Sequence, residues 1–163
     1  MLTNDYAASN TQDAKATPHR HDSTSTDATR MAPSLTVLHV DDHPEFVDLS
    51  SIYFDRIGAD VEVLTATSAA EGLRVLQDSD VACVVSDYDM PGMDGIEFLD
   101  AIREAGLDVP FILFTNVARA DIDTDVTARC VTAYLRKSVG VETYTKLLNR
   151  IEEAVSSCRG DCT

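Results

Sequence analysis

The chain has little positive charge. Lysine occurs at Lys15, Lys137 and Lys146 alone, arginine supplies the other ten bases, and 28 Asp and Glu leave a net charge of −15. A surface of that sign meets long-range repulsion from DNA, RNA and anionic membranes, which argues against direct docking on any of them. The chain also lacks the roughly 18 consecutive apolar residues that a spanning helix needs, and its start is polar rather than signal-like, so a soluble cytoplasmic protein is expected. Cysteine is scarce and scattered: Cys83, Cys130, Cys158 and Cys162 do not make a disulfide framework in 163 residues. Cys158 and Cys162, four apart, read as reduced thiols on a fraying end rather than a metal site. The acid excess and the preference for Arg over Lys point to a very salty, halophilic cytoplasm.

Large apolar residues are scarce from Met1 to about Pro33, where Ala, Ser, Thr, Asn and Asp dominate. Such a segment cannot bury enough surface to offset its ordering entropy, so 1–33 is expected to be a disordered tail, with His19 and His21 in it as solvated side chains. Beyond Ser34 short apolar runs alternate with stretches of helical period, the pattern of a parallel sheet with crossover helices. Five strands are predicted: Leu35 to Val40, Val61 to Ala66, Val81 to Ser86, Phe111 to Thr115 and Val131 to Leu135. Five helices follow them. The first runs from about Pro44 to Ile57 with Phe46, Leu49, Ile52 and Tyr53 inward, and Gly58 ends it. The second starts at Ser68 with Glu71 in a capping box and buries Leu73 and Leu76. The third starts near Asp94 with Ile96, Leu99 and Ile102 inward, and Gly106 stops it. A thinly apolar fourth lies between Arg119 and Arg129, and the fifth spans about Val141 to Ser157 on Tyr144, Leu147, Leu148, Ile151 and Val155. The predicted class is a doubly wound α/β domain over 34–157, flavodoxin-like, with 158–163 frayed.

In that class ligands sit beyond the carboxyl ends of the strands. The first strand ends on Asp41 and Asp42, the third on Asp87, the fourth on Thr115, and the fifth runs into Lys137. Three clustered carboxylates repel one another and suit a hard, hydrated cation such as Mg²⁺. A Lys and a Thr are surplus for metal alone but fit a phosphoryl group, whose oxygens need countercharge and hydrogen-bond donors. The attacking group would then be a carboxylate. Each residue has another use on its own, since an Asp after a strand is often a helix cap; it is their convergence on one edge that points to phosphoryl transfer.

Val-Asp-Asp at 40–42, Ser-Asp-Tyr-Asp-Met-Pro-Gly-Met-Asp-Gly at 86–95, Phe-Thr at 114–115 and Tyr-Leu-Arg-Lys at 134–137 resemble the response-regulator receiver family of two-component signalling, in its order and approximate spacing. With the acidity, the likeness extends to receivers of haloarchaeal signalling proteins. The resemblance implies that Asp87 accepts a phosphoryl group from a histidine kinase. It implies that Asp42, Asp87 and the backbone carbonyl of Asp89 hold Mg²⁺, with Asp41 acting through water, and that Lys137 contacts the phosphoryl oxygens. Thr115 and Tyr134 match the family's switch pair, and Gly92 and Gly95 allow tight turns in the loop. One departure stands out: the family places Pro after the Lys with a cis peptide, and here Ser138 follows, so a trans or strained peptide is expected. His43 reads as an exposed loop residue that could tune metal binding, and His39 as a buried neutral one.

Two rival readings remain. Asp87 and Asp89 could serve a haloacid-dehalogenase-type phosphatase as nucleophile and general acid, although Met90-Pro91 and the position of Lys137 fit that pattern poorly. A degenerate receiver could act purely as a protein-binding module. A receiver is not expected to turn over any substrate beyond its own phosphoryl group, and its output is expected in another protein. Its partners would be a kinase, an effector or a second copy, docked on the face of the fourth helix, fifth strand and fifth helix. Residues 34–163 carry 24 acids and 10 bases, so self-repulsion should weaken the fold when screening is removed. The thermal midpoint is expected to rise as KCl approaches molar concentration; a flat or falling midpoint contradicts this electrostatic argument.

Overall fold

In the computed structural model of the chain, residues 35–122 and 131–157 are described. Five parallel strands form one sheet: β1 (Leu35–Val40), β2 (Val61–Ala66), β3 (Cys83–Ser86), β4 (Phe111–Thr115) and β5 (Ala133–Arg136), in the spatial order β2-β1-β3-β4-β5. Among the described residues four α-helices connect or follow them: α1 (Pro44–Ile57), α2 (Ala69–Asp78), α3 (Gly95–Glu104) and α4 (Val141–Ser157). The predicted class, strand count and order of elements stand. The expected 1–33 tail, the 158–163 end, and Cys130, Cys158, Cys162, His19 and His21 lie outside the described residues.

The alternation of side chains along each strand divides the core in two. Leu38 and Val40 of β1, Val84 of β3 and Phe111 and Leu113 of β4 pack with Phe98, Leu99 and Ile102 of α3 and Leu76 of α2. Val37, Cys83, Val85, Ile112 and Phe114 point the other way, onto Phe54 of α1 and Tyr144, Leu147 and Ile151 of α4. Strands covered on both faces must be apolar at nearly every position, which is why they read as unbroken runs.

Several local expectations are corrected. Pairing in β3 starts at Cys83 rather than Val81, and β5 runs Ala133–Arg136 rather than from Val131. In α1 the buried stripe is Val47, Ser50 and Phe54, while Ile52 is 53% exposed and Phe46, Leu49 and Tyr53 are half-buried. The stripe is rotated because a polar residue takes an inward place: Ser50 Oγ lies 2.7 Å from His39 Nδ1 in β1. At α2 the Ser68 side chain does accept from Glu71 N, but the Glu71 carboxylate reaches past the cap to Thr67 N and Oγ1. The reciprocal capping box occurs instead at α3, between Asp94 and Glu97. Where a fourth helix was expected from Arg119, a 3-10 turn covers Arg119–Asp121; the rest of that stretch, 123–129, lies outside the described residues.

Gly92 has φ 84°, as a tight turn demands. Gly95 serves a different purpose from the one expected. A Cβ there would come within 2.6 Å of the Asp87 carbonyl oxygen and 2.9 Å of Tyr88 Cα, both backbone atoms that cannot step aside cheaply. Its missing side chain lets α3 start directly against the exit of β3.

Two predictions follow from this packing. Gly95→Ala should destabilise the fold by about 1–3 kcal/mol, because overpacking outweighs the gain of about 1 kcal/mol that Ala brings to a helix; urea unfolding measures it, and an unchanged or raised midpoint contradicts the close approach. The second concerns His39, 1% exposed, whose imidazole is lowered from its ordinary 6.5 to about 3 by burial, helped by the Lys137 ammonium. It is neutral in the folded chain and takes up a proton on unfolding, so its contribution to stability is lost as pH falls from 6.5 towards 3. His39→Leu should flatten the stability profile over that window by up to about 1.4 kcal/mol per pH unit. Unfolding at several pH values checks it; an unchanged slope contradicts a neutral His39.

Candidate functional site

The site lies one residue past the carboxyl ends of the strands, and the sheet ladder itself carries the backbone there. Asp41 N donates to Ala66 O at 3.1 Å, Asp87 N to Val40 O at 2.9 Å and Lys137 N to Thr115 O at 3.0 Å. Each of these residues therefore continues its strand's register by one rung before its loop departs. This matters at Ser138: among the described residues no peptide is cis, and the ladder bond to Thr115 positions the Lys137 backbone in the absence of a following Pro.

The side chains converge. Lys137 Nζ donates to Asp41 Oδ2 at 2.5 Å and lies 3.2 Å from Asp87 Oδ2. All three residues are buried, at 0% exposure for Asp41, 4% for Asp87 and 8% for Lys137. The other oxygens are also engaged: Asp41 Oδ1 accepts from His43 N at 2.9 Å, and Asp87 Oδ1 from Tyr88 N at 2.7 Å. Asp42 differs, since it is half-buried and its Oδ1, shielded from solvent, has no hydrogen-bond partner. Ligand atoms of Asp41, Asp42, His43 and Asp87 all lie within 4.8 Å of one another. Burial raises the Asp41 carboxyl above its ordinary range despite the Lys137 bond that opposes it. His43 is raised too, by the Asp42 charge first and then by Asp41. A carboxylate oxygen that accepts no hydrogen bond and faces the exposed His43 imidazole, beside two further acids, suits a divalent cation, which would supply charge that one ammonium does not.

Asp89 is exposed on the loop beyond Asp87, and its carboxylate is not part of this cluster. Thr115 is fully buried; its Oγ1 accepts from Val117 N at 3.2 Å. Tyr134, half-buried, donates its hydroxyl to Val117 O at 2.6 Å, with the Arg119 guanidinium 5.7 Å from its ring centre. The two residues expected as a pair thus meet on one intervening residue.

Sequence reasoning missed the role of Phe46, assigned above to the core of α1. Its ring centre lies 4.1 Å from Lys137 Nζ, covering the ammonium with an aromatic face. A Phe five residues beyond an acid at a strand end carries no signal of this, because the contact depends on the helix turning back over the sheet edge.

Among the described residues no helix is long and apolar enough to cross a membrane. Residues 37–149 match the family model of the response regulator receiver domain. Curated relatives include the response regulator SaeR of Staphylococcus epidermidis, 34% identical over 48% of this chain and 33% of that protein. The sensor histidine kinase RcsC of Escherichia coli is 30% identical over 77% of this chain and 13% of that protein. The chain thus spans a third or less of these two relatives. Among solved structures, the chemotaxis response regulator CheY4 of Vibrio cholerae is 28% identical with a TM-score of 0.64, covering 72% of this chain and 98% of that one. The response regulator TrrA of Thermotoga maritima, in complex with Mg²⁺ and BeF, is 26% identical with a TM-score of 0.61, over 72% and 98%. The haloarchaeal likeness has no counterpart in these matches, and they do not favour a phosphatase of the haloacid-dehalogenase type. With the acid pair, the central Asp and the Lys held at one sheet edge, and the family model matched over most of the folded segment, the chain belongs to the response regulator receiver domain family.

Proposed function

We propose that Asp87 is the phosphoacceptor of this receiver, taking its phosphoryl group from the phosphohistidine of a histidine kinase. The observation that carries this reading is the shared Lys137 ammonium, in contact with both Asp41 and Asp87 inside a buried acidic pocket. An oxygen of Asp87 attacks phosphorus, the P–N bond to the donor imidazole breaks, and the leaving nitrogen is protonated. Lys137 lies beside Asp87 Oδ2 and supplies countercharge to the incoming phosphoryl oxygens.

Asp42, Asp87 and the backbone carbonyl of Asp89 would hold Mg²⁺, which when bound neutralises charge on the transferring group. Asp41 suits a supporting place through water, because both of its oxygens already accept hydrogen bonds. The bound Mg²⁺ of the TrrA complex supports the same choice of ion. Thr115 contributes its hydroxyl to the phosphoryl group and Tyr134 responds, together forming the switch. Val117 couples them: a Thr115 hydroxyl drawn to the phosphate releases Val117 N, and the same residue's carbonyl holds the Tyr134 hydroxyl.

On this reading the chain catalyses its own phosphorylation and dephosphorylation and turns over no separate phosphate ester. It works in the cytoplasm, with the receiver over 34–157 and an effector protein or a second copy on the β5 and α4 face. Its acidity fits a halophilic cell.

Acetyl phosphate with Mg²⁺ should add one phosphoryl group by mass spectrometry, and Asp87→Asn should abolish it; labelling that persists in the variant sinks the assignment. Beryllofluoride with Mg²⁺ should slow hydrogen exchange most in residues 115–122 and 131–137. Thr115→Val should lose that protection while still being phosphorylated, and a variant that responds like the parent removes Thr115 from the coupling.

A further inference from the structure

The residue that follows the acid pair is a histidine, and the phosphoacceptor reading leaves it without a task. His43 sits at the N-cap of α1 in extended backbone, φ −105° and ψ 103°, yet its side chain makes no capping bond. Ser, Thr, Asp and Asn are the usual caps, since a short side-chain oxygen reaches the free N–H groups of the first turn. Here the imidazole points elsewhere. Its Nδ1 lies 3.3 Å from Asp42 Oδ1 and 3.4 Å from Asp41 Oδ1, the first of these being the shielded oxygen without a hydrogen-bond partner.

Donor atoms held about 2.1 to 2.4 Å from one ion in an octahedral shell sit about 3.0 to 3.4 Å from their neighbours, so the 3.3 Å between His43 Nδ1 and Asp42 Oδ1 fits adjacent corners of one coordination sphere, with Asp41 outside it. Two features hold the ring in place. Pro44 restricts the residue before it to extended backbone, which fixes where the His43 side chain leaves the chain. The Phe46 ring meets the imidazole edge-on, 6.2 Å between centres.

Resting on the reading of this pocket as a divalent-cation site, we propose that His43 is a direct metal ligand, so that the receiver takes a first-row transition cation with an imidazole nitrogen in its coordination shell. Carboxylate and carbonyl oxygens alone suit Mg²⁺, whereas imidazole adds affinity along the series from Mn²⁺ to Ni²⁺ and Cu²⁺ and tilts the pocket towards those ions. The competing account is an ion pair in which a protonated imidazole neutralises Asp42 and leaves when a cation arrives.

The test uses the full chain with His19→Asn and His21→Asn, which leaves His43 and the buried His39 as its imidazoles. Mn²⁺ bound to this protein should show directly coordinated ¹⁴N by pulsed electron paramagnetic resonance, and His43→Asn should abolish that coupling. Asn is a favoured cap, so the variant keeps the start of α1. Calorimetry should show the ratio of Ni²⁺ to Mg²⁺ affinity falling about tenfold or more in the variant, at least the loss seen when a supporting partner of a metal ligand is removed. Mn²⁺ bound without ¹⁴N coupling, or coupling that survives His43→Asn, overturns the role of His43 and leaves phosphorylation at Asp87 untouched. Absence of Mn²⁺ and Mg²⁺ binding in the parent overturns both this ligand and the cation part of the proposed function.

Discussion

An ammonium group buried between two carboxylates is the interaction on which the rest of the pocket depends. Removing charges from water costs several kcal/mol per ion, and the cost is recovered where opposite charges are close and their remaining hydrogen-bonding capacity is used. Lys137, Asp41 and Asp87 meet that condition, with Asp41 accepting two bonds and Asp87 accepting from Tyr88 N and facing the ammonium. The balance remains incomplete. Carboxylates within 4.8 Å of each other repel by about 3 to 4 kcal/mol per pair at an effective dielectric near 20. Three acids facing one buried ammonium and one exposed imidazole leave an excess of negative charge. The Asp41 carboxyl is raised chiefly because its burial prevails over the Lys137 attraction, and the Asp87 charge adds a smaller push in the same direction. A pocket of this kind gains stability from any cation that enters it.

The placement of these charges comes from backbone rather than from side-chain packing. Each key residue donates its N–H to the last residue of a neighbouring strand, so the distances between Asp41, Asp87 and Lys137 follow from strand spacing and register. Gly95 extends the same logic to the connecting loop. Because it lacks a side chain, the start of α3 lies against the Asp87 carbonyl, and the capping box at Asp94 and Glu97 fixes where that helix begins. The loop carrying Asp89 is thus tied at both ends, by the ladder at Asp87 and by the cap at Asp94. Rigid flanks around a short loop suit a site in which charge must be met without rearrangement.

Much of this was legible in the chain before any coordinates. Alternating apolar runs and helical stretches marked the strands and α1, α3 and α4 closely, because a sheet covered on both faces has a strong pattern, and residues ending those runs named the acid pair, Asp87, Thr115 and Lys137. What escaped was set by contacts between distant segments. Periodicity in α1 ranked Ile52 as inward, since it weighs apolarity alone, whereas the helix is turned so that Ser50 meets His39. Phe46 was counted as core and lies on the Lys137 ammonium. Gly95 was read for its freedom of φ, when its role is the space its missing side chain leaves. The family resemblance pairs Thr115 with Tyr134, but their common attachment to Val117 depends on the loop after β4 folding back to β5.

The use of lysine at position 137 is informative in a chain that elsewhere prefers arginine by ten to two. An arginine would remain charged at any pH and would bind a single carboxylate with two parallel bonds, but its planar fork spreads the charge over a wide edge. The space here is narrow: two carboxylate oxygens at 2.5 and 3.2 Å and an aromatic face at 4.1 Å surround one nitrogen. A compact ammonium with three donors can serve Asp41, Asp87 and a third direction at once, and it can turn from one acceptor to another by rotating about its stem. A bidentate guanidinium would have to give up two bonds to make the same move. The general drift of this composition towards arginine therefore stops where the site needs a charge that is both buried and able to change acceptors, and Phe46 keeps that charge dry while it does so.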